Sequence, residues 1–289
     1  MHELSSPRDM RAWSRAERAR GRRIGFVPTM GFLHEGHLAL VARVAERVDR
    51  TVLSVFVNPL QFGPGEDFAS YPRDLDRDRR LAAAQGVDCL FVPEARALYP
   101  SEPQVGFAPG PVADLLEGAA RPRHFAGVLL VVAKLFHIVE PDLALFGRKD
   151  YQQALLVRRM ATELDFGLDV EVAPTVRELD GLALSSRNTY LSPDERRAAV
   201  ALSRALRAVE QAWRSGEADA RALERRGREV LAAPGVQAEY LVLTDADLGP
   251  VTRADARTVV LVAARVGATR LIDNVVLGEG VAADPAVRT

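Results

Sequence analysis

The stretch that decides the fold is residues 24–57, which read IGFVPTMGFLHEGHLALVARVAERVDRTVLSVFV. The stretch opens with a short apolar run at residues 24–28 and closes with a β-branched run at residues 51–57. Between these runs, after Gly36, apolar residues recur at helical spacing, which predicts a helix with one buried stripe. Because residues 51–57 are apolar on both faces, they are typical of a parallel strand that is covered on two sides.

The same alternation continues to about residue 175. Further helices are predicted at residues 8–20, 75–85, 128–139 and 151–163, and further strands at residues 89–92, 143–146 and 168–173. This order predicts right-handed crossovers and a doubly wound parallel sheet, which is a Rossmann-like α/β domain over residues 1–175. Ligands of such sheets bind beyond the carboxyl ends of the strands, where the unusual polar residues of this sequence also lie.

The pattern changes at Ser192. The sequence Ser192-Pro193-Asp194-Glu195 predicts a helix start with a capping box, and a second helix follows at residues 218–232. The apolar face of the first of these helices is formed by Leu202, Leu206, Val209 and Trp213. Short strands are predicted at residues 240–243, 259–264 and 271–277. We therefore expect a smaller α+β C-terminal domain over residues 176–289 that covers the active site.

Composition excludes several classes of protein. Hydrophobic residues make up 48% of the chain, enough for a sizeable core, and 38 basic against 39 acidic residues give a net charge of −1. A balanced charge offers no electrostatic argument for binding nucleic acid or a membrane surface. No apolar stretch reaches the ~18–20 residues of a membrane span, and residues 1–23 lack the apolar run of a secretory signal. The single Cys89 excludes an internal disulfide, so we expect a soluble, cytoplasmic protein.

The sharpest local feature is His34-Glu35-Gly36-His37. A zinc-protease helix needs histidines at i and i+4, whereas these two are three residues apart. Gly36 allows the backbone to approach a ligand closely where the loop becomes a helix, and the N–H groups of a helix start bind phosphate. Both imidazoles could donate to phosphate oxygens. The alternative is that a histidine only caps or packs the helix, and it is stronger for His34 than for His37.

A family resemblance follows from residues 28–37, PTMGFLHEGH. They resemble the phosphate-binding signature of the pantothenate synthetase (pantoate–β-alanine ligase) family, which belongs to the nucleotidyltransferase superfamily with a His-x-Gly-His motif. Further matches follow in order at residues 56–63, 71–74, 121–128, 146–153 and 174–188. The resemblance covers the chain from about residue 24 to 197 and implies an ATP-dependent ligase of pantothenate biosynthesis. In the implied reaction, pantoate and ATP give pantoyl adenylate and pyrophosphate, and β-alanine then displaces AMP to give pantothenate.

The resemblance implies two sets of residues that act on ATP. The catalytic set is His34, His37, Lys149, Ser185, Ser186 and Arg187. The ATP-binding set adds Met30, Gly31, Phe32, Leu33, Glu35, Gly36, Gly147, Arg148, Asp150, Val176 and Leu184. Phosphoryl transfer requires mainly positioning and charge neutralisation, which a lysine, hydroxyls and a guanidinium can supply. Lys149 could instead be a solvated surface lysine, and Asp150 could cap the next helix, hold a ribose hydroxyl or hold Mg²⁺.

The resemblance also implies a pantoate and β-alanine site. Its residues are Gln61, Gln153, Pro28, Thr29, Asn58 and Tyr71. An amide offers both a donor and an acceptor, which suits a hydroxy acid, although a lone Gln153 would otherwise be an exposed helix residue. Mg²⁺ is expected mainly on the ATP phosphates, with Asp78 as a weakly supported protein ligand. The family further implies a homodimer formed through the N-terminal domain.

Three positions depart from the family pattern, and three other functions compete with the ligase. Arg77 interrupts an acidic run, Arg148 replaces an acidic or amide residue, and Leu184 replaces methionine. A nucleotidyltransferase that stops at the adenylate would not explain Gln61 and Gln153. A nucleotide-binding sensor without turnover would be expected to have degenerate motifs, and a nicotinamide dehydrogenase would need a Gly-x-Gly-x-x-Gly after the first strand. The ligase therefore remains the preferred interpretation.

Overall fold

The computed structural model describes residues 1–281, and its chain divides into two compact units. The first unit comprises residues 1–147 and 152–173, and the second comprises Arg148–Tyr151 and the chain from Pro174 onward. The predicted boundary between residues 175 and 176, and the roles assigned to the two domains, stay predictions. Residues 282–289 of the predicted C-terminal domain lie outside the described residues.

The first unit contains a six-stranded parallel sheet. Its strands are β1 (His2–Leu4), β2 (Ile24–Thr29), β3 (Arg50–Val55), β4 (Cys89–Phe91), β5 (Leu143–Gly147) and β6 (Asp169–Ala173). Their order is β1-β4-β3-β2-β5-β6, and every neighbouring pair is parallel. The predicted doubly wound parallel sheet is thereby confirmed. Only β1 was not predicted, because three residues at an edge with two exposed side chains carry no periodic signal.

Five helices of this unit were predicted from the sequence, and two short ones at residues 95–98 and 117–120 were not. The helices are α1 (Pro7–Ala19), α2 (Glu35–Ala45), α3 (Leu75–Ala84), α4 (Ala95–Leu98), α5 (Glu117–Ala120), α6 (His124–Val139) and α7 (Tyr151–Glu163). Successive residues of a strand point to opposite faces, and β2 accordingly sends Phe26 into one core cluster and Val27 into another. The sheet is therefore covered on both faces, as the apolar strands predicted.

The strand order makes neighbours of the two strands that precede the motifs at residues 28–37 and 146–153. β2 pairs with β3 on one side and with β5 on the other, with Thr29 opposite Val55 and Phe26 opposite Ala144. The chain order of the strands reverses at this point, which is where doubly wound sheets bind their ligands. The loop that begins at Met30 therefore follows β2, and the segment after Gly147 follows the neighbouring strand β5.

The second unit is α+β, as predicted. Its helices are α8 (Pro193–Ala199), α9 (Ala201–Arg214) and α10 (Ala220–Leu231), and its antiparallel sheet has the order β7 (Val236–Thr244), β8 (Val259–Val266) and β9 (Thr269–Val276). The predicted capping box is present, since Ser192 Oγ accepts from Glu195 N at 3.3 Å and Glu195 Oε2 accepts from Ser192 N at 2.8 Å. The single helix predicted from Ser192 is instead two helices, which meet at Val200.

No helix within residues 1–281 is long and apolar enough to cross a membrane.

Candidate active site

The loop after β2 is held by its own first residue. The hydroxyl of Thr29 donates to Ser54 O at 2.7 Å and accepts from Gly31 N at 3.1 Å, so the turn is bonded to the neighbouring strand. Gly31 has a φ of +81°, and a Cβ there would lie 2.7 Å from Val55 Cγ1. Both the left-handed backbone and the close contact require glycine at this position.

Asp78 on α3 fixes the next two residues of this loop. Its Oδ2 accepts from Phe32 N at 2.8 Å and its Oδ1 accepts from Leu33 N at 2.7 Å. Phe32 adopts a positive φ of 49°, an uncommon conformation for a residue with a side chain, and these two bonds stabilise it. Asp78 is only 1% exposed, and burial raises the pKa of its carboxyl although both backbone N–H groups oppose that shift.

Arg77 supports the same loop from its other side. Its Nη1 donates to Leu33 O at 2.6 Å, and its guanidinium lies 5.3 Å from the centroid of the Phe32 ring. Along the sequence, Arg77 is recognisable only as an interruption of an acidic run. In the structure it contacts both residues whose N–H groups Asp78 binds, so Arg77 and Asp78 together hold residues 32–33. Residues 32–33 and residues 77–78 are far apart in the sequence, so only the three-dimensional structure reveals that they are in contact.

The two histidines of the motif lie together at the start of α2. His34 is the N-cap residue, and its ring stacks on that of His37 with centroids 4.0 Å apart. His34 N donates to His37 Nδ1 at 3.4 Å. A neutral His37 whose Nδ1 accepts a hydrogen bond carries its proton on Nε2, where it can be donated to an anion. The capping interpretation of His34 and the phosphate-donor interpretation of His37 are therefore compatible.

Gln61 lies in a hydrogen-bonded cluster at the carboxyl end of β3. Asn58 is fully buried, and its Nδ2 donates to Gln61 Oε1 at 3.2 Å and to Gly127 O at 3.1 Å. Gln61 Nε2 in turn lies 3.0 Å from Met30 Sδ. The structure thus brings together three predicted residues from two separate motifs, residues 28–37 and residues 56–63. The Oδ1 of Asn58 accepts from Leu60 N and from the Tyr99 hydroxyl, so this side chain is fixed and orients Gln61. The substrate role predicted for Asn58 stays a prediction.

His124 holds the main chain of Gln61. Its Nδ1 lies 2.8 Å from Gln61 O, and its Nε2 lies 3.0 Å from Arg121 Nη1. A carbonyl can only accept and a guanidinium can only donate, so His124 is neutral with its proton on Nδ1. Burial lowers the pKa of His124 to about 4, and the charge of Arg121 acts in the same direction. Arg121 is itself paired with Glu66, their Nη2 and Oε2 atoms 2.6 Å apart.

The neighbouring glutamines of α7 differ in their surroundings. Gln152 is buried; its Oε1 accepts from Glu117 N at 3.1 Å and its Nε2 donates to the carbonyls of Val112 and Leu115. Gln153 is half-buried on the adjacent position of the helix. Gln152 is thus structural, and the substrate role predicted for Gln153 stays a prediction. Of the remaining predicted substrate residues, Pro28 lies within β2 opposite Ser54, and Tyr71 is buried edge-on against Phe62 with ring centroids 5.9 Å apart.

The predicted lysine segment belongs to the second unit. Residues Arg148–Asp150 form a 3-10 turn directly after Gly147. Lys149 has a largely buried side chain, and its Nζ lies 3.8 Å from Asp150 Oδ1. This limited exposure argues against a fully solvated surface lysine. Arg148 forms an ion pair with Glu279, which gives this departure from the family pattern a partner in the second unit.

The predicted phosphate loop lies in the same unit. Leu184 N donates to Val176 O at 3.0 Å, which joins two residues predicted to contact ATP. Ser185 then caps the 3-10 turn Ser186–Tyr190, and its Oγ accepts from Arg187 N at 3.3 Å. Ser186 is buried. Ser185, Ser186 and Arg187 therefore share one turn, as expected of a phosphate-binding loop.

Asp78, the expected magnesium ligand, is hydrogen-bonded to the protein backbone. Both carboxylate oxygens of Asp78 accept backbone hydrogen bonds, and no group of three or more His, Cys, Asp or Glu side chains within residues 1–281 could hold a metal ion. Asp78 therefore holds the loop through both of its oxygens, and the described residues supply no cluster of further ligands around it. Its magnesium role stays a prediction, and we derive no step of the reaction through the ion.

Comparisons with known proteins agree with this geometry. Residues 2–276 match the family described as pantoate-beta-alanine ligase. A pantothenate synthetase of Saccharopolyspora erythraea is 54% identical over 277 residues, which cover 94% of this chain and 90% of the relative. One from Moorella thermoacetica is 48% identical over 279 residues, which cover 96% and 99%.

Solved structures show the same similarity. The crystal structure of pantothenate synthetase from Thermus thermophilus superimposes with a TM-score of 0.91 and 47% identity, covering 96% of this chain and 99% of that one. The pantoate-beta-alanine ligase of Francisella tularensis, complexed with beta-gamma ATP and beta-alanine, gives a TM-score of 0.82 and 30% identity over 98% and 100% of the two chains. With the family match spanning both units of the fold, this chain belongs to the pantoate–β-alanine ligase family.

Proposed function

We propose that the chain condenses pantoate with β-alanine at the expense of ATP, giving pantothenate, AMP and pyrophosphate through a pantoyl-adenylate intermediate. The observation that carries the proposal is the junction at His34–His37, where the first N–H groups of α2 and the imidazole of His37 lie at the carboxyl end of β2. A helix start with added donors binds the phosphates of a nucleotide. The structure of the Francisella relative, complexed with beta-gamma ATP and beta-alanine, supports ATP and β-alanine as ligands of this chain.

In the first step, a carboxylate oxygen of pantoate attacks the α-phosphorus of ATP, and the bond from that phosphorus to the pyrophosphate oxygen breaks. Negative charge grows on the α-phosphate and on the leaving pyrophosphate. His37 Nε2 and the ammonium of Lys149 would neutralise that charge. Donors of this kind are typically worth about 10²–10³ in rate each, because they are oriented before the reaction begins.

In the second step, the amine of β-alanine attacks the acyl carbon, and the bond to the AMP oxygen breaks as the ammonium proton is lost to solvent. The free carboxylate of pantoate has no good leaving group, and adenylation supplies AMP as one. The mixed anhydride is sensitive to water, so the site must exclude water while it persists. We propose that Ser185, Ser186 and Arg187 bind the phosphate of the adenylate, with Met30–Leu33, Glu35, Gly36, Gly147, Asp150, Val176 and Leu184 completing the nucleotide site.

Pantoate would bind through the amides of Gln61 and Gln153. Gln61 is held at its main chain by His124 and at its side chain by Asn58, so its donor and acceptor have fixed directions. A preorganised amide loses little entropy when it binds a hydroxy acid. Pro28, Thr29, Asn58 and Tyr71 would complete this pocket.

The proposal also includes features of the whole enzyme. Mg²⁺ would be carried mainly by the ATP phosphates, since it retains most of its waters. The enzyme would be a homodimer in the cytoplasm, and light scattering of the purified chain would test the dimer directly.

The decisive experiment separates the two half-reactions. The chain incubated with MgATP, pantoate and labelled pyrophosphate, without β-alanine, should transfer label into ATP, because adenylate formation is reversible while pyrophosphate is present. Adding β-alanine should then yield pantothenate and AMP, identified by mass spectrometry. Exchange without amide formation would indicate a transferase that stops at the adenylate. Exchange that requires β-alanine would contradict the two-step reaction, and neither activity would favour a nucleotide-binding sensor.

A further inference from the structure

Strand β9 carries two adjacent polar residues that are almost fully buried, Asp273 and Asn274, each 3% exposed. Buried polar groups are nearly always hydrogen-bonded, so their partners indicate why a strand retains them. Here the partners lie on two segments of the second unit. One is the turn that contains Lys149, and the other is the hairpin that leads into Ser185.

Asn274 binds the turn of Lys149. Its Nδ2 donates to Arg148 O and to Lys149 O, both at 2.9 Å. These two carbonyls belong to the peptide planes on either side of the Lys149 Cα atom. Because one planar amide binds both planes, it fixes φ and ψ of Lys149 and with them the direction in which the side chain leaves the backbone.

The orientation of the Asn274 amide is itself determined. A reversed amide would set Oδ1 against two carbonyl oxygens, so Nδ2 must face the turn. Oδ1 is then buried, with no hydrogen-bond partner in the described part of the chain. A buried acceptor without a partner is destabilising, so Oδ1 does not explain why the sheet has an amide at this position. The two donor bonds are therefore the feature that only an amide supplies here.

Asp273 binds the second segment through a buried ion pair. Its Oδ2 and Oδ1 accept from Arg177 Nη1 at 2.6 Å and from Nη2 at 2.8 Å, and Nη1 also donates to Gly181 O at 3.1 Å. Arg177 pairs with Ala183 across the hairpin whose next residues are Leu184 and Ser185. Neighbouring residues of one strand thus hold both segments of the second unit that carry the proposed phosphate donors.

We propose that Asn274 is a positioning residue of the ligase reaction, which orients Lys149 toward the reacting phosphate by fixing its backbone, while Asp273 fixes the hairpin before Ser185. This inference rests on the proposed function. It assigns a catalytic consequence to a residue that touches no substrate. The effect of removing the Asn274 donors should fall on turnover and should depend on the presence of Lys149.

The test uses Asn274→Leu, which removes both donors and the unpartnered Oδ1 at similar volume, with Asn274→Asp as a second variant of nearly identical shape. Thr269→Val, a buried polar residue at the start of the same strand, is the matched control. We expect Asn274→Leu to lower kcat by about 10- to 100-fold, less than the 10²–10³ of a lost donor, with KM for pantoate changed less than about threefold. In a Lys149→Ala background the same substitution should change kcat less than about twofold.

Each other outcome counts against the proposal. An equal loss of kcat with and without Lys149 would show general damage and overturn it, as would normal turnover by a folded Asn274→Leu enzyme. If both Asn274 variants fail to fold while Thr269→Val folds, Asn274 serves the stability of the sheet and not the position of Lys149. A wild-type chain that forms no pantothenate would instead refute the proposed function, so the two failures are distinguishable.

Discussion

At the scale of single residues, the surroundings of a side chain decide which of its possible roles it can perform. A carboxylate near a nucleotide site is a natural magnesium ligand, and Asp78 was predicted as one by resemblance. In the structure its two oxygens accept hydrogen bonds from the left-handed Phe32 and its neighbour Leu33 and stabilise both, while the magnesium role stays a prediction. The loop that contains the His34–His37 motif therefore depends on a residue from a different element.

Replacing Asp78 by asparagine should loosen this loop. The amide keeps one acceptor but sets an NH₂ group against a backbone N–H, and hydrogen bonds to a charged acceptor contribute about 1.5–3 kcal/mol. We expect KM for ATP to rise about 10-fold or more, with faster hydrogen exchange at the amides of Phe32 and Leu33. Asp76→Asn, on the exposed side of the same helix, should leave both unchanged.

The magnesium dependence separates the two roles of Asp78. At a fixed concentration of MgATP, the free Mg²⁺ needed for half-maximal activity should be the same for Asp78→Asn and the wild type. A shift to higher Mg²⁺, with normal exchange at Phe32 and Leu33, would contradict the loop role and support a metal ligand.

Single residues also mark where sequence reasoning succeeds. The pattern His34-Glu35-Gly36-His37 is local, and the predicted loop-to-helix junction is where the structure has it. The roles of Arg77, Gln152 and Asn274 depend on contacts with residues 35 to 126 positions away, which no spacing along the chain reveals. Conversely, nothing in the sequence distinguishes Gln152 from its neighbour Gln153. Only the structure shows that the side chain of Gln152 binds the backbone of residues 112–117.

At the scale of elements, the close packing of α6 on the 3-10 turn Pro59–Gln61 sets the position of Gln61. A Cβ on Gly127 would lie 2.2 Å from Leu60 O and 2.9 Å from Gln61 N, so only glycine allows this approach. The continuous apolar run predicts a buried helix, but it carries no signal of which glycine forms the contact. Backbone-to-backbone packing has no periodic signature.

Gly127→Ala should therefore separate α6 from this turn and displace Gln61. Overpacking of this kind typically costs about 1–3 kcal/mol, so we expect a lower melting temperature together with a raised KM for pantoate and little change in KM for ATP. Gly106→Ala is the control, because no atom lies within 4 Å of the added Cβ. Lost stability with an unchanged KM for pantoate would contradict the assignment of Gln61 to that substrate.

At the scale of the whole molecule, alternating apolar runs were enough to predict the parallel sheet, its two covered faces and the α+β character of the second unit. Several features could not be predicted, among them the short helices α4 and α5, the first strand and the break between α8 and α9. Two of the three residues of the edge strand β1 are polar, and the interruption at Val200 lies inside a continuous helical pattern. Both are set by tertiary packing, which overrides local preference in short or ambiguous segments.

The stability of the folded chain in mild acid should depend on His124. Its pKa is about 4 in the folded chain, because of burial and the charge of Arg121, against about 6.5 when unfolded. Between these values the unfolded chain binds more protons, so the free energy of unfolding is greatest above pH 6.5 and falls as the pH drops toward 4. Glu17, whose pKa is lowered to about 2 by hydrogen bonds from Arg50 and then Arg22, loses its contribution only below about pH 4.5.

From pH 6.5 to 4.5 the His124 contribution should therefore decline by about 2–3 kcal/mol. Urea unfolding, followed by the fluorescence of Trp13 in a Trp213→Phe background, would measure this decline in the first unit. His124→Gln, which does not titrate, should be less stable at pH 7 but should lose most of the pH dependence. His137→Gln, an exposed histidine of the same helix, should retain the wild-type slope. If His124→Gln keeps that slope as well, the neutral His124 between Arg121 and the Gln61 carbonyl is not what limits stability in acid.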